Sequence, residues 1–197
     1  MTHHSFIISC CTILLVKKIS QWHSRLRQYE FKKEQMYMRS FEDVFPHQAD
    51  SDRCQLILAD EENPPALNGI FDLIDYYCPN PDCNCYKVSI VIVDITPGSF
   101  PKVCATTMYG WKSKTFYRKV GFDPQTAECI TQGCLDPEGP QSEHAEEFLE
   151  LFSFLIQDPH FVDRLKNRYE LFRSTVTSNK RNVRNEKVVP FTAKKRA

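Results

Sequence analysis

The segment Tyr86–Ile95, YKVSIVIVDI, restricts the fold more than any other part of the chain. Val88, Ile90, Val91, Ile92, Val93 and Ile95 are β-branched, stiff at χ1 and suited to a pleated surface. An apolar run of this kind is a buried strand, and it needs strands to pair with. The flanking sequence supplies candidates. CQLILAD (54–60) is short and apolar, and IFDLIDYY (70–77) partly alternates, with the turn-rich ENPPALNG between them. TPGSFP (96–101) breaks the chain after the central run. KVCATTMYGW (102–111) and KTFYRKV (114–120) follow as further strands. The pattern predicts an antiparallel meander of about five strands.

The last third has helical periodicity. LDPEGPQS (135–142) is a loop ending at an expected N-cap, Ser142, and Glu143, Glu146 and Glu147 suit the first turn of a helix. Ala145, Phe148, Leu149, Phe152, Leu155 and Ile156 form one apolar face. A second helix restarts at DPHF, with Asp158 as N-cap and Pro159 in first position. Phe161, Leu165, Tyr169 and Phe172 are its stripe. The predicted fold class is therefore α+β: the meander with two C-terminal helices packed on it, and an N-terminal helical extension. Residues 1–40 are that extension, with an amphipathic helix expected over 18–39. Residues 41–175 form the domain. Residues 176–197 are a basic tail, where Ser, Thr, Asn, Lys and Arg predict that order ends beyond Ser174.

Charge follows the same division. Residues 1–40 hold seven Lys/Arg and two Glu, a net +5; residues 180–197 hold seven Lys/Arg and one Glu, a net +6. The middle, 41–179, carries a net −11 within a chain of formal net charge zero. An acidic body is unlike a nucleic-acid-binding face, which should itself be basic. The basic tail is the part able to touch an anionic partner, and a protein partner fits the rest. The apolar run Phe6–Val16 spans 11 residues, short of the ~20 a membrane helix needs. Lys17 and Lys18 follow it rather than precede it, the reverse of an export signal. The expectation is a cytoplasmic protein without a transmembrane segment. Met36 or Met38 is an alternative start.

Nine cysteines in a reducing compartment favour metal over disulfides. Three of them crowd into YCPNPDCNCY (77–86): Cys78, Cys83 and Cys85. Zinc holds four ligands in a tetrahedron with Zn–S near 2.3 Å, which sets the sulfurs about 3.8 Å apart. Pro79 and Pro81 fix φ, and Asn80, Asp82 and Asn84 tolerate tight turns. Such a loop can gather three thiolates, and metal binding offsets the entropy of closing it. A redox thiol pair and unliganded turn cysteines are the competing readings. Zn2+ is expected over an iron–sulfur cluster, because no fuller set of cluster spacings is present. Strand counting places Cys104 opposite Val93, about 26 Å along the ladder from Cys85. Cys104 is then a core thiol. Cys54, opposite about Ile74, and Cys134, brought back by a turn at Asp123–Glu128, are the candidates for a fourth ligand.

Catalysis has little support in the residues. His3, His4, His23, His47, His144 and His160 occur in no triad or metalloprotease spacing. The six glycines do not cluster into a phosphate loop. Asp94 and Asp136 are the acids a pocket would use, and no pattern points to them. In the LDPEGPQS loop, Asp136, Gln141 and Ser142 line a site or tie the loop to the sheet, with the tie favoured.

Two stretches together resemble a known group. FDLIDYYCPNPDCNC (71–85) and LDPEGPQSEHAEEFLELF…DPHFVDRLKNRYELFR (135–173) are similar to a family of uncharacterised bacterial proteins. That family pairs a YCxxPxCxC loop with LDPxxxQS and a helical RLKxHYxLF end, and some members carry a C-terminal SEC-C zinc motif. The resemblance covers about 54–173. It implies metal at Cys78, Cys83 and Cys85 and no known activity. The tail of this chain lacks SEC-C cysteines, and Arg168 stands where the pattern has histidine. The reading is thus a protein with a structural zinc site, acting as an interaction or scaffold module rather than as an enzyme. A metal-dependent hydrolase with an open zinc position and a thiol redox sensor are the alternatives.

Overall fold

The computed structural model describes residues 7–9, 38–59 and 65–186. Most of the helix expected over 18–39 lies outside the described residues, as do 187–197. The strands are β1 (Ile7–Ser9), β2 (Arg39–Ser40), β3 (Gln55–Leu58), β4 (Gly69–Tyr77), β5 (Lys87–Asp94), β6 (Lys102–Gly110) and β7 (Cys134–Leu135). The helices are α1 (Phe41–Val44), α2 (Pro46–Ser51), α3 (Lys114–Lys119), α4 (Pro124–Gln132), α5 (Ala145–Leu155) and α6 (Pro159–Glu186). One antiparallel sheet runs in the order β1-β3-β4-β5-β6-β7, and β2 pairs with the end of β4 at Arg39↔Tyr77. The fold is α+β, a meander with the C-terminal helices packed on it.

β5 lies inside the sheet and is covered on both faces. Val88, Ile90 and Ile92 face one side and Ser89, Val91 and Val93 the other, all 4% exposed or less. Ile90 pairs with Thr107, as strand counting gives. The register then shifts by one between Ile92 and Val93, which pair with Ala105 and Val103. Cys104 is the extra residue of that bulge.

α5 and α6 cover the first face. Phe148 meets Phe71 edge-on at 5.0 Å, and Tyr77 packs against Tyr169 and Phe172 at 6.1 and 5.5 Å. Such pairs add about 0.5–1.5 kcal/mol each beyond the area they bury. Asp158 caps α6, its carboxylate accepting from the His160 N–H at 2.9 Å, with Pro159 the first helical residue. α6 continues to Glu186, beyond Ser174. α5 begins at Ala145, later than the Ser142 cap implies. Ser142 Oγ instead accepts from the His144 N–H at 3.2 Å.

On the other side, residues 114–120 are not the expected strand. Ser113 Oγ accepts from the Phe116 N–H and starts α3, and Asp123 accepts from the Gln125 and Thr126 N–H groups and starts α4. α4 replaces the turn expected at 123–128. Tyr117, Ala127 and Ile130 of these helices bury themselves against Met108 of β6 as a second, smaller core. Gly110 makes the approach possible, since a Cβ there would sit 2.1 Å from Tyr117 Oη.

A buried charge network ties the helices to the sheet. Arg168 of α6, 6% exposed, donates from Nη1 to Asp75 at 2.7 Å and from Nε and Nη2 to the Asp52 carboxylate and carbonyl at 3.1 and 2.6 Å. Its guanidinium lies 4.4 Å from the centre of the Phe41 ring. Asp72 accepts from Arg53 and Gln55, both at 2.7 Å. Nearby, burial pushes the Glu42 carboxyl up from 4.5 to about 7; Arg53 opposes this, and Asp72, Asp75 and Asp50 reinforce it. The folded state therefore holds this proton up to about pH 7, whereas the unfolded chain releases it near 4.5. Between those values the folded state binds more protons, so stability falls as pH rises. Glu42→Gln is expected to flatten that decline, measured by urea unfolding across the interval. An unchanged slope would refute the assignment.

Candidate metal centre

The loop 78–86 joins two neighbouring strands, β4 and β5, so its ends are held side by side by the ladder. Within it the chain doubles back tightly. The Cys83 N–H donates to the Asn80 carbonyl at 3.1 Å, and the Asn80 side chain accepts from the Asp82 N–H at 2.9 Å. This is the turn that the Pro/Asn/Asp composition favours. Tyr86 leaves the loop with φ +48°, an uncommon left-handed conformation for a residue other than glycine. Its surroundings hold it there. Tyr117 Oη donates to the Tyr86 carbonyl at 2.7 Å, the Tyr86 ring packs on Tyr169 and Phe116, and the Lys112 ammonium lies 4.3 Å from its centre.

The result is convergence of the three cysteines singled out in the sequence. The Sγ atoms of Cys78, Cys83 and Cys85 all lie within 4.8 Å of one another. Cys85 is buried, and Cys78 and Cys83 are half-buried. The Cys78 thiol is pushed down to about 5. The bond from the Cys85 thiol is the chief cause, opposed by burial and aided by the Asn80 N–H, the Cys83 thiol and the charge of Arg173. Cys85, the donor in that bond, is pushed up, by the bond itself and by burial. One thiolate forms readily in this group and a second is resisted by its neighbours. A cation among the sulfurs removes that resistance, and three soft thiolates suit a thiophilic metal. The cluster can hold a metal ion.

The expected fourth ligands are elsewhere. Cys54 lies opposite Leu73, its carbonyl accepting from the Leu73 N–H at 3.0 Å, and its side chain is buried in the main core. Cys134 is joined to Cys129 of α4 by a disulfide. The helix that replaces the predicted turn carries Cys129 to it. Cys104 lies in the bulge at the far end of the ladder, 6% exposed, as expected of a core thiol. Among the described residues, no further Cys, His, Asp or Glu joins the three sulfurs. His47 and His160 are exposed, and His144 faces Glu147 at 3.3 Å.

The acids considered for catalysis are turn anchors. Asp94 accepts from the Thr96 N–H at 2.8 Å. Asp136 accepts from the Glu138 N–H and from Ser89 Oγ, at 3.1 and 3.0 Å. Gln141 lies along β6: its amide oxygen accepts from the Thr106 N–H at 3.1 Å, and its NH2 donates to the Thr106 carbonyl at 2.9 Å. The LDPEGPQS loop is tied to the sheet.

One residue at the site escapes sequence reasoning. Arg173 of α6 donates from Nη1 to the Asn80 carbonyl at 2.5 Å and from Nη2 to the Pro81 carbonyl at 2.8 Å. Its position four residues after Tyr169, on the same helix face, is the only signal for it. A groove of about 390 Å³ runs between loop and helix, lined by Asn84, Tyr86, Tyr169, Glu170, Arg173 and Thr177 among others. No helix among the described residues is long and apolar enough to cross a membrane. Comparison of the chain with protein-family models, curated proteins and solved structures finds no match.

Proposed function

We propose that Cys78, Cys83 and Cys85 bind a zinc ion that braces the β4–β5 connection, and that the protein works as an interaction or scaffold module. The observation that carries this reading is the convergence of the three sulfurs in a loop anchored by two paired strands. A hairpin fixed at both ends costs little further entropy to close around an ion. Asp94 and Asp136 cap turns, which favours a structural role over an enzymatic one. The resemblance of the YCPNPDCNC and LDPEGPQS stretches to the bacterial proteins with YCxxPxCxC and LDPxxxQS loops points the same way, and the proposal extends to a cytoplasmic, protein-binding role. The groove beside the loop favours a second reading, a zinc hydrolase with an open coordination position, since catalytic zinc keeps three protein ligands and a water. The depressed Cys78 thiol favours a third, a redox sensor.

Elemental analysis of the purified chain beside Cys83→Ser separates these. The expected result is about one zinc per wild-type chain and far less in the variant. Wild-type protein that is folded, metal-free and unable to take up zinc overturns the metal site. Bound zinc together with hydrolytic turnover moves the assignment to an enzyme. Reversible oxidation of Cys78 in place of metal binding moves it to a sensor.

A further inference from the structure

The three sulfurs gather on one side of the cysteine loop, and α6 lies on another. The carbonyls of Asn80 and Pro81 are both taken by the Arg173 fork of α6, and the Asn80 carbonyl also accepts from the Cys83 N–H. The same guanidinium reaches the Asn84 side-chain oxygen at 3.5 Å. Asn80, Pro81 and Asn84 lie between the three cysteines, so one cation from a distant helix spans the whole C-x4-C-x-C turn. Pro81 has no N–H, and it sits where the chain must turn most sharply.

We propose that Arg173 is a positioning residue of the metal site, one that sets its affinity. The proposal rests on the metal-site reading. The physical reason is twofold. A planar fork fixes two carbonyls at once, which a point charge on a flexible stem does not. Holding these two carbonyls fixes the turn between Cys78 and Cys83, so the sulfur cradle exists before the ion arrives. The guanidinium charge also offsets the excess negative charge of three thiolates around a divalent ion. Groups that orient ligands without touching the metal commonly change its affinity by about 10–100-fold.

The test is zinc affinity of the full chain, by competition with a chromophoric chelator at one pH, for wild type, Arg173→Ala and Arg173→Lys. Arg173→Ala is expected to weaken zinc binding by about 10–100-fold, and Arg173→Lys to recover part of the loss. Melting temperatures of zinc-loaded and zinc-stripped protein separate positioning from simple bracing. In the positioning role, Arg173→Ala shrinks the rise in melting temperature that zinc produces and leaves the stripped protein nearly as stable as wild type. Wild-type zinc affinity in Arg173→Ala, or equal losses in loaded and stripped protein, overturns the inference. Wild-type protein that fails to bind zinc sinks the metal-site reading itself, and this inference with it.

Discussion

Arg168→Ala is expected to destabilise the domain by about 3–5 kcal/mol, the usual cost of removing one partner of a buried ion pair. The loss should appear as a lower urea midpoint at unchanged slope. Asp75 is 2% exposed and would remain as a charge inside the core. Asp52 would lose the contact that fastens the α2–β3 connection to α6 through this side chain, although Arg164 also holds it at 3.1 Å. The Phe41 ring would lose its cation as well. The sharper version is a pair of changes. Arg168→Met with Asp75→Leu should recover much of the lost stability, because apolar replacements of similar volume leave no buried charge behind. A loss below ~1 kcal/mol in Arg168→Ala would show that the network is solvated and contributes no more than a surface pair. Histidine could not take the place of Arg168, because an imidazole has two ring nitrogens and cannot make these three contacts.

Zinc is expected to raise stability by about 4 kcal/mol at a thousandfold excess over its dissociation constant, without being required for folding. The main core explains the second half of that statement. Phe71, Ile90, Phe148, Phe152 and Leu165 are each 1% exposed or less, and none belongs to the cysteine loop. A chelator should lower the melting temperature and leave the far-ultraviolet circular dichroism of the unheated protein almost unchanged. Small zinc domains behave differently, because the metal is most of their core. Unfolding on chelation would mean that the loop organises the sheet. Identical melting with and without zinc would remove the metal site.

The sheet is legible in the sequence because β-branched runs alternate with turn residues, and because β5 is buried on both faces. The C-terminal helices are legible from their stripes and, for α6, from the Asp158–Pro159 start. The same signature stands at Asp123–Pro124, where α4 begins, yet the apolar alternation just before it reads as a strand. α3 is the difficult case. Lys114–Lys119 is under two turns long, too short for a 3.6-residue period to separate itself from a 2-residue one. What makes it a helix is the Ser113 cap and the burial of Tyr117 above Gly110, a contact between residues that no local pattern joins. The candidate site divides in the same way. The three cysteines are clustered in sequence and clustered in space. Arg173 meets the loop only through packing of α6 on the sheet, about ninety positions further along the chain. Cys134 misled for a definite reason. The chain returns it as predicted, beside Met108, but a helix in place of the turn carries Cys129 to it and the disulfide takes up its thiol.

The fastening of the LDPEGPQS loop bears on how this protein meets other chains. β7 pairs with β6 only at Thr107 and Met108. The next stretch of that rim, Cys104–Thr106, would otherwise offer bare peptide groups to any extended segment that drifted past. The Asp136 and Ser142 N–H groups occupy the Thr106 and Cys104 carbonyls, and the Gln141 carboxamide imitates a missing strand residue at Thr106. Exposed rims of this kind are where sheets recruit foreign strands and aggregate. With its hydrogen-bonding valence filled from within, this border is closed to strand addition. Partners that bind here must do so through side chains.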